Sequence, residues 1–121
     1  MGARCTFVFK QSKDQAVALY SHWGEYDMYE DLAAALQHAM PRIEMRDHAY
    51  ATRMAISYLI KDSILDETGF GIYACNPNDL GFMDEPIIIN LVNNTVDSRV
   101  GGEHSIKDFI NYHNLVATAT S

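Results

Sequence analysis

Residues 19–25, Leu-Tyr-Ser-His-Trp-Gly-Glu, combine side chains that could bind a flat ring or an anion. They lie where a predicted strand gives way to a predicted helix. Trp23, the only tryptophan of the chain, could stack on a base, and His22 could donate a hydrogen bond. Gly24 would let the backbone approach a ligand, and the start of the next helix offers free N–H groups. The alternative interpretation is a buried tryptophan that packs the hairpin against that helix.

Arg53 lies on a predicted helix that is apolar around most of its circumference. A guanidinium in such a setting is costly to bury unless a carboxylate or a phosphate meets it. We therefore predict that Arg53 binds an anion in the region that His22 faces, with Tyr50 of the same helix as a stacking ring. The alternative is an internal ion pair with one of four acidic residues: Asp27, Glu30, Asp31 or Asp66.

Residues 68–73, Thr-Gly-Phe-Gly-Ile-Tyr, place two glycines around an aromatic ring. Phe70 or Tyr73 could form a stacking wall beside a ligand. The segment is not a dinucleotide-binding fingerprint, because it enters a strand rather than a helix and lacks the third glycine. The alternative is a turn followed by ordinary strand aromatics.

The remaining reactive residue types show no arrangement typical of an active site. The five histidines have no metal-ligand spacing, and neither Cys5 nor Cys75 belongs to a C-x-x-C pair. Nucleophile elbow, phosphate loop and HExxH motifs do not occur in the sequence. We therefore predict no catalytic residue, no metal, no cofactor and no enzymatic activity, with two buried free thiols in a reducing compartment.

The charge balance limits the partners of this chain. Its 121 residues carry 9 Lys and Arg against 16 Asp and Glu, a formal net charge of -7. This disfavours DNA, RNA and anionic membrane surfaces, all of which need a basic face, but a small anionic ligand needs only a few cationic groups. No apolar run approaches the roughly 20 residues of a spanning helix, and we recognise no secretory signal, so we expect a cytoplasmic protein.

Hydrophobic periodicity predicts a single α+β domain over residues 1–121, with an antiparallel sheet built from hairpins, a central helix pair and a short C-terminal helix. The predicted order is β-β-α-α-β-β-β-α. Pro41 should close the first helix, Gly101-Gly102 should break the sheet, and residues 115–121 form an edge strand or an arm toward a partner. The predicted strands cover residues 4–10, 16–21, 70–75, 86–92 and 95–100, and the helices 27–40, 48–62 and 106–113.

Local signals accompany these predicted elements. Asp47 and Ser105 are the predicted N-caps of the second and third helices, and Asn93-Asn94 is predicted to form the turn between the last two strands. Phe7 and Phe9 should share one face of the first strand, and Phe109 should lie on the buried side of the last helix. Arg53, Ser57 and Lys61 should form a polar stripe on the second helix.

Four segments together resemble a group of small phage-encoded accessory proteins: residues 19–24, 31–36, 50–56 and 68–72. Residues 21–24, Ser-His-Trp-Gly, are the most specific part, although the family more often has glycine where this chain has Glu25. The chain is also loosely similar to phage anti-defence sponges. These are small oligomers of the infected bacterial cytoplasm that bind cyclic nucleotides or cyclic ADP-ribose.

These resemblances imply a homo-oligomer that sequesters a small, anionic, nucleotide-derived immune signal. On this hypothesis the ligand contacts come from His22, Trp23, Gly24, Tyr50, Arg53, Phe70 and Tyr73. The alternative hypothesis is an acidic protein-interaction module that inhibits a host protein, for which the net charge is the motivating feature.

Overall fold

The computed structural model describes residues 4–22, 28–81, 83, 86–98 and 101–120, the last seven of these as backbone only. They form six strands and three helices. The strands are β1 (Cys5–Lys10), β2 (Ala16–Ser21), β3 (Phe70–Cys75), β4 (Pro86–Asn90), β5 (Thr95–Ser98) and β6 (Gly102–Ser105). The helices are α1 (Met28–Glu44), α2 (His48–Leu59) and α3 (Ile106–Thr120).

The strands form one sheet in the order β3-β2-β1-β4-β5-β6. All neighbouring pairs are antiparallel except β1 and β4, which run parallel with Val8 opposite Ile88. The predicted α+β class is confirmed. The parallel pair differs from the prediction of a sheet made only of hairpins. After α1 and α2 the chain adds β3 next to β2, and then crosses to the other side of β1, where β4 pairs with it in parallel.

Alternation along the strands creates the face on which the helices pack. Phe7 and Phe9 of β1 belong to one buried cluster together with Ile87 and Ile89 of β4 and with residues of all three helices. Val8, on the opposite face of β1, is also fully buried. Ile88, which pairs with Val8, is half-buried, so the face away from the helices is shielded at β1 and only partly shielded at β4.

Helix α1 runs past Pro41, contrary to the sequence prediction, and ends only at Glu44. A proline costs a helix one hydrogen bond, but the buried side chain of Ile43 packs against the core and holds the last turn. The end is a Schellman motif, in which the N–H of Arg46 donates to Ile43 O and the N–H of Asp47 to Arg42 O. Arg46 occupies the left-handed position with a φ of 61°.

Helix α2 begins where the sequence predicts and ends three residues earlier. The carboxylate of Asp47 accepts the N–H of Tyr50 at 3.2 Å, which confirms the predicted N-cap. The helix stops at Leu59, and the next residue, Ile60, donates its N–H back to Ile56 O.

The C-terminal part contains two differences from the sequence prediction. After Gly101-Gly102 the chain does not leave the sheet but turns back with a φ of 75° at Gly102 and forms β6. Every residue of β6 is exposed, so the strand lacks the alternation of apolar and polar side chains that would predict it from the sequence. Ser105 caps α3 as predicted, accepting the N–H of Asp108 at 3.0 Å. The backbone then stays helical to Thr120, so the predicted edge strand after residue 114 is wrong. The alternative, an arm toward a partner, stays a prediction.

Shorter deviations occur at β4, which ends at Asn90, and at β5, which is described up to Ser98. Asn94 has a φ of 58°, in agreement with the turn predicted at Asn93-Asn94. Both cysteines are free. Cys5 is buried as predicted, whereas Cys75 on the edge strand is half-buried.

Candidate functional site

The structure places the predicted site residues in separate regions. Trp23 and Gly24 lie outside the described residues. His22 is half-buried at the end of β2, where its N–H donates to Gly69 O at 2.9 Å and its Nδ1 lies 3.4 Å from the hydroxyl of Tyr20. These contacts join the end of β2 to the start of β3.

Tyr50 and Arg53 lie together on the exposed side of α2. Arg53 donates from Nη1 to Ser57 Oγ at 3.2 Å, and the Arg42 guanidinium lies 4.5 Å from the centre of the Tyr50 ring. The predicted polar stripe on α2 is therefore real. An anionic partner for Arg53 was predicted because a buried guanidinium needs one. Arg53 is exposed, so this reason does not apply.

Phe70 and Tyr73 point to opposite faces of the sheet, because they stand three positions apart on one strand. Phe70 packs against the core beneath the helices, and Tyr73 is 36% exposed on the other face. The strand register pairs Phe70 with Ser21, next to His22. The structure thus brings His22 and Phe70 to one end of the β2–β3 pair, while Tyr50 and Arg53 lie on α2.

A different group of residues surrounds a cavity of about 570 Å³, here called the α1–α3 cavity. Three elements bound it: the first turn of α1, the β5–β6 hairpin and the first two turns of α3. Its described lining residues are Tyr29, Ser98, Gly101, His104, Asp108, Phe109, Tyr112 and His113. The spacing of Phe109, Tyr112 and His113 sets them on one side of α3, toward α1 and the hairpin.

Aromatic rings cluster around His113 on the apolar side of the α1–α3 cavity. The Tyr29 ring of α1 stacks on His113 with the ring centres 5.6 Å apart and the planes 16° apart. Phe109 lies 4.4 Å from the same imidazole, and Tyr112 meets it edge-on at 4.9 Å. Phe109 is 4% exposed and Tyr112 is 64% exposed. One ring therefore belongs to the core, and the other stands free to contact a ligand.

Burial makes the charged form of His113 unfavourable. Desolvation lowers the pKa of the imidazole, Glu30 opposes this by raising it, and His104 lowers it again. The net direction is downward. His113 therefore favours the neutral ring, which is suited to stacking and offers one N–H donor and one nitrogen acceptor.

The polar side of the α1–α3 cavity is organised by the β5–β6 hairpin. The N–H of Gly101 donates to Ser98 Oγ at 3.0 Å, and His104 Nε2 lies 2.6 Å from Gly101 O. A methyl group on Gly101 would lie 3.0 Å from Ser98 Oγ and 3.9 Å from His104 Nε2. Glycine at this position therefore lets the Ser98 hydroxyl approach the hairpin backbone closely, whereas the His104 ring would tolerate the methyl group.

Asp108 completes the polar side from the first turn of α3. Its N–H is bound by the Ser105 cap, but its carboxylate has no hydrogen bond or ion pair with another described residue. An ionised carboxylate in this first turn is favoured by the helix dipole. The α1–α3 cavity thus combines exposed ring surface with an unpartnered acceptor.

These cavity residues are not among the site residues predicted from the sequence. His104 and His113 lack metal-ligand spacing, and Phe109 was predicted only as a core residue of a short helix. The available signal was the 109, 112 and 113 spacing of three rings near the start of α3. Nothing local to that segment indicates that Tyr29 and the β5–β6 hairpin face it.

Among the described residues, no group of three or more His, Cys, Asp or Glu side chains could hold a metal ion. No helix in the described part of the chain is long and apolar enough to cross a membrane. Comparisons with protein-family models, with curated proteins and with solved structures give no match.

Proposed function

We propose that this protein binds a small molecule carrying a flat aromatic ring, and that the α1–α3 cavity holds that ring. The observation that carries the proposal is the cavity itself. Its volume of about 570 Å³ lies within the range of roughly 300–1,000 Å³ typical of small-molecule sites. Tyr29, Tyr112 and His113 offer ring surface beside the polar groups of the hairpin. Apolar walls with a few convergent polar groups are typical of such sites.

Stacking supplies the affinity in this proposal. A base stacked on an aromatic side chain contributes roughly 1–3 kcal/mol. Tyr112 is the ring that can make this contact, because it is exposed and held edge-on by His113. Asp108 and His104 then orient the ring through hydrogen bonds at its edge.

The narrower proposal concerns the identity of the ligand. The resemblance to phage accessory proteins and to anti-defence sponges favours a nucleotide-derived immune signal, which this protein would sequester without converting it. A base-sized ring in the cavity is compatible with that role. Phosphate groups would then lie at the cavity mouth or outside it, since no Lys or Arg occurs among its described lining residues. Homo-oligomerisation and the location in an infected bacterial cytoplasm stay predictions.

The test is a thermal-shift panel of cyclic dinucleotides, cyclic trinucleotides and cyclic ADP-ribose isomers. A ligand at a hundred times its Kd stabilises the folded state by about 2.7 kcal/mol. For a domain of this size that raises the melting temperature by roughly 10 °C. If no member of the panel changes the melting temperature, the narrower proposal is wrong.

Two tyrosine variants locate the site. Tyr112→Ala removes the exposed ring of the cavity, and Tyr50→Ala removes another exposed ring, on α2, that belongs to the site predicted from sequence. We expect Tyr112→Ala to weaken the shift and Tyr50→Ala to leave it unchanged. The reverse result would move the site to α2 and refute the assignment to the cavity.

A further inference from the structure

We infer that the ring bound in the α1–α3 cavity presents two neighbouring hydrogen-bond donors, a ring N–H beside an amino group, as the edge of guanine does. This inference rests on the proposed function and narrows its ligand class. It follows from two residues among the polar groups that line the cavity, Asp108 and His104, each of which offers a hydrogen-bond acceptor.

Asp108 is the first acceptor. Asp108 lines the cavity and is exposed, and its carboxylate has no hydrogen bond or ion pair with a described residue. Both oxygens can therefore accept hydrogen bonds from a ligand. An ionised carboxylate only accepts, and its two oxygens can receive two parallel N–H bonds. A ligand edge with two adjacent donors uses both oxygens, whereas an edge with one donor leaves one oxygen unused.

His104 is the second acceptor. Its Nε2 lies 2.6 Å from Gly101 O, and a carbonyl oxygen can only accept, so Nε2 carries the proton. In the neutral imidazole the other nitrogen, Nδ1, then holds a lone pair. The hairpin thus fixes the tautomer of His104 and leaves an acceptor on a residue of the cavity wall.

The common purines differ in the hydrogen-bond donors and acceptors along the edge that would face the Asp108 carboxylate. Guanine offers N1–H and the 2-amino group side by side, which matches a carboxylate. Hypoxanthine keeps N1–H and lacks the amino group. Adenine places a ring lone pair beside its amino group, so a carboxylate oxygen would face a second acceptor. Repulsion of that kind discriminates between ligands as effectively as attraction does.

The experiment compares the 5′-monophosphates of guanosine, inosine and adenosine by isothermal titration calorimetry at pH 7.5. The phosphate and the ribose are constant across the series, so differences report the base. We expect GMP to bind at least about tenfold more tightly than IMP, since one hydrogen bond to a charged acceptor is lost. AMP should bind more weakly still.

The matched variants are Asp108→Asn and Asp66→Asn, which remove one carboxylate at the cavity and one exposed carboxylate in the loop before β3. Asp108→Asn should bring GMP and IMP to within about twofold of each other, and Asp66→Asn should keep the wild-type ratio. Circular dichroism checks that both variants fold. If Asp108→Asn does not fold, the wild-type comparison of GMP with IMP still tests the inference.

Equal binding of the three nucleotides, or a preference for AMP, would overturn the guanine-type edge and leave the proposed cavity site standing. A GMP preference that survives in Asp108→Asn would also overturn it. Failure of all three nucleotides to bind would overturn the inference, and the cyclic-nucleotide panel would decide separately on the narrower proposal of a nucleotide-derived signal.

Discussion

Phe109 and Tyr112 line the same cavity from the same helix. We predict that Phe109→Ala mainly lowers the stability of the fold, whereas Tyr112→Ala mainly lowers the affinity for the ligand. Tyr112 is 64% exposed, so folding buries only about a third of its surface. A ring residue offers roughly 150–250 Å², and burial contributes about 25 cal/mol per Å², so the buried part is worth ~1–2 kcal/mol. Alanine recovers about 0.5 kcal/mol through its higher helix propensity. Tyr112→Ala should therefore lower the free energy of unfolding by about 1 kcal/mol.

Phe109 is 4% exposed and belongs to the core cluster. Truncation of such a residue to alanine costs about 3–5 kcal/mol, through lost burial and the cavity left behind. Binding should follow the opposite order. Tyr112→Ala should weaken the affinity for the best panel ligand by roughly 5- to 150-fold, which corresponds to the 1–3 kcal/mol of one stacking contact.

Urea denaturation followed by far-UV circular dichroism gives the free energies of unfolding, and calorimetric titration gives the affinities. Tyr50→Ala is the matched control for an exposed tyrosine outside the cavity. A loss of stability above about 3 kcal/mol for Tyr112→Ala would refute the argument from exposure. Unchanged ligand affinity in a folded Tyr112→Ala variant would refute the role of the ring in binding.

Two further predictions concern the imidazole and the hairpin of the cavity. Because burial lowers the pKa of His113, the unfolded chain takes up a proton at a higher pH than the folded chain. The free energy of unfolding should therefore fall as the pH drops below about 6.5 and level off beneath the lowered pKa of folded His113. His113→Gln should lack this component in urea titrations at pH 7.5 and 5.5, and an unchanged pH dependence in that variant would contradict the assignment. Gly101→Ala should destabilise the protein by about 1 kcal/mol, because the new methyl group crowds Ser98 Oγ and disturbs the hydrogen bond from the Gly101 N–H. Adding Ser98→Ala relieves the contact, so the double variant should lose less stability than the two single losses together, and strict additivity would show that the two residues do not interact.

The local patterns of the sequence predicted much of the fold. Alternation predicted that Phe7 and Phe9 share one face of the first strand, and the Asp47 and Ser105 caps marked the starts of two helices. The errors occurred where local signals were weak or were outweighed. Strand β6 was not predicted because it has no buried residue. The end of α1 was predicted too early because the helix continues past Pro41, with Ile43 buried in its last turn.

The candidate site was less accessible to prediction. The sequence analysis favoured residues around Trp23 because an isolated tryptophan beside a histidine and a glycine is conspicuous. The α1–α3 cavity uses commoner residue types, and it needs groups from α1, the β5–β6 hairpin and α3. None of these segments carries a ligand motif alone.

The sequence by itself determined the α+β class, most helices and strands and the residues available for the core, because these depend on the periodicity of nearby side chains. Only the tertiary structure decided that Tyr29 stacks on His113 and that Asp108 faces the same cavity as Ser98. Those contacts depend on the order of the strands in the sheet and on where α3 packs against α1. Chain periodicity carries no record of these contacts, since it repeats over a few residues, whereas Tyr29 and His113 lie far apart in the chain and Ser98 and Asp108 belong to different elements.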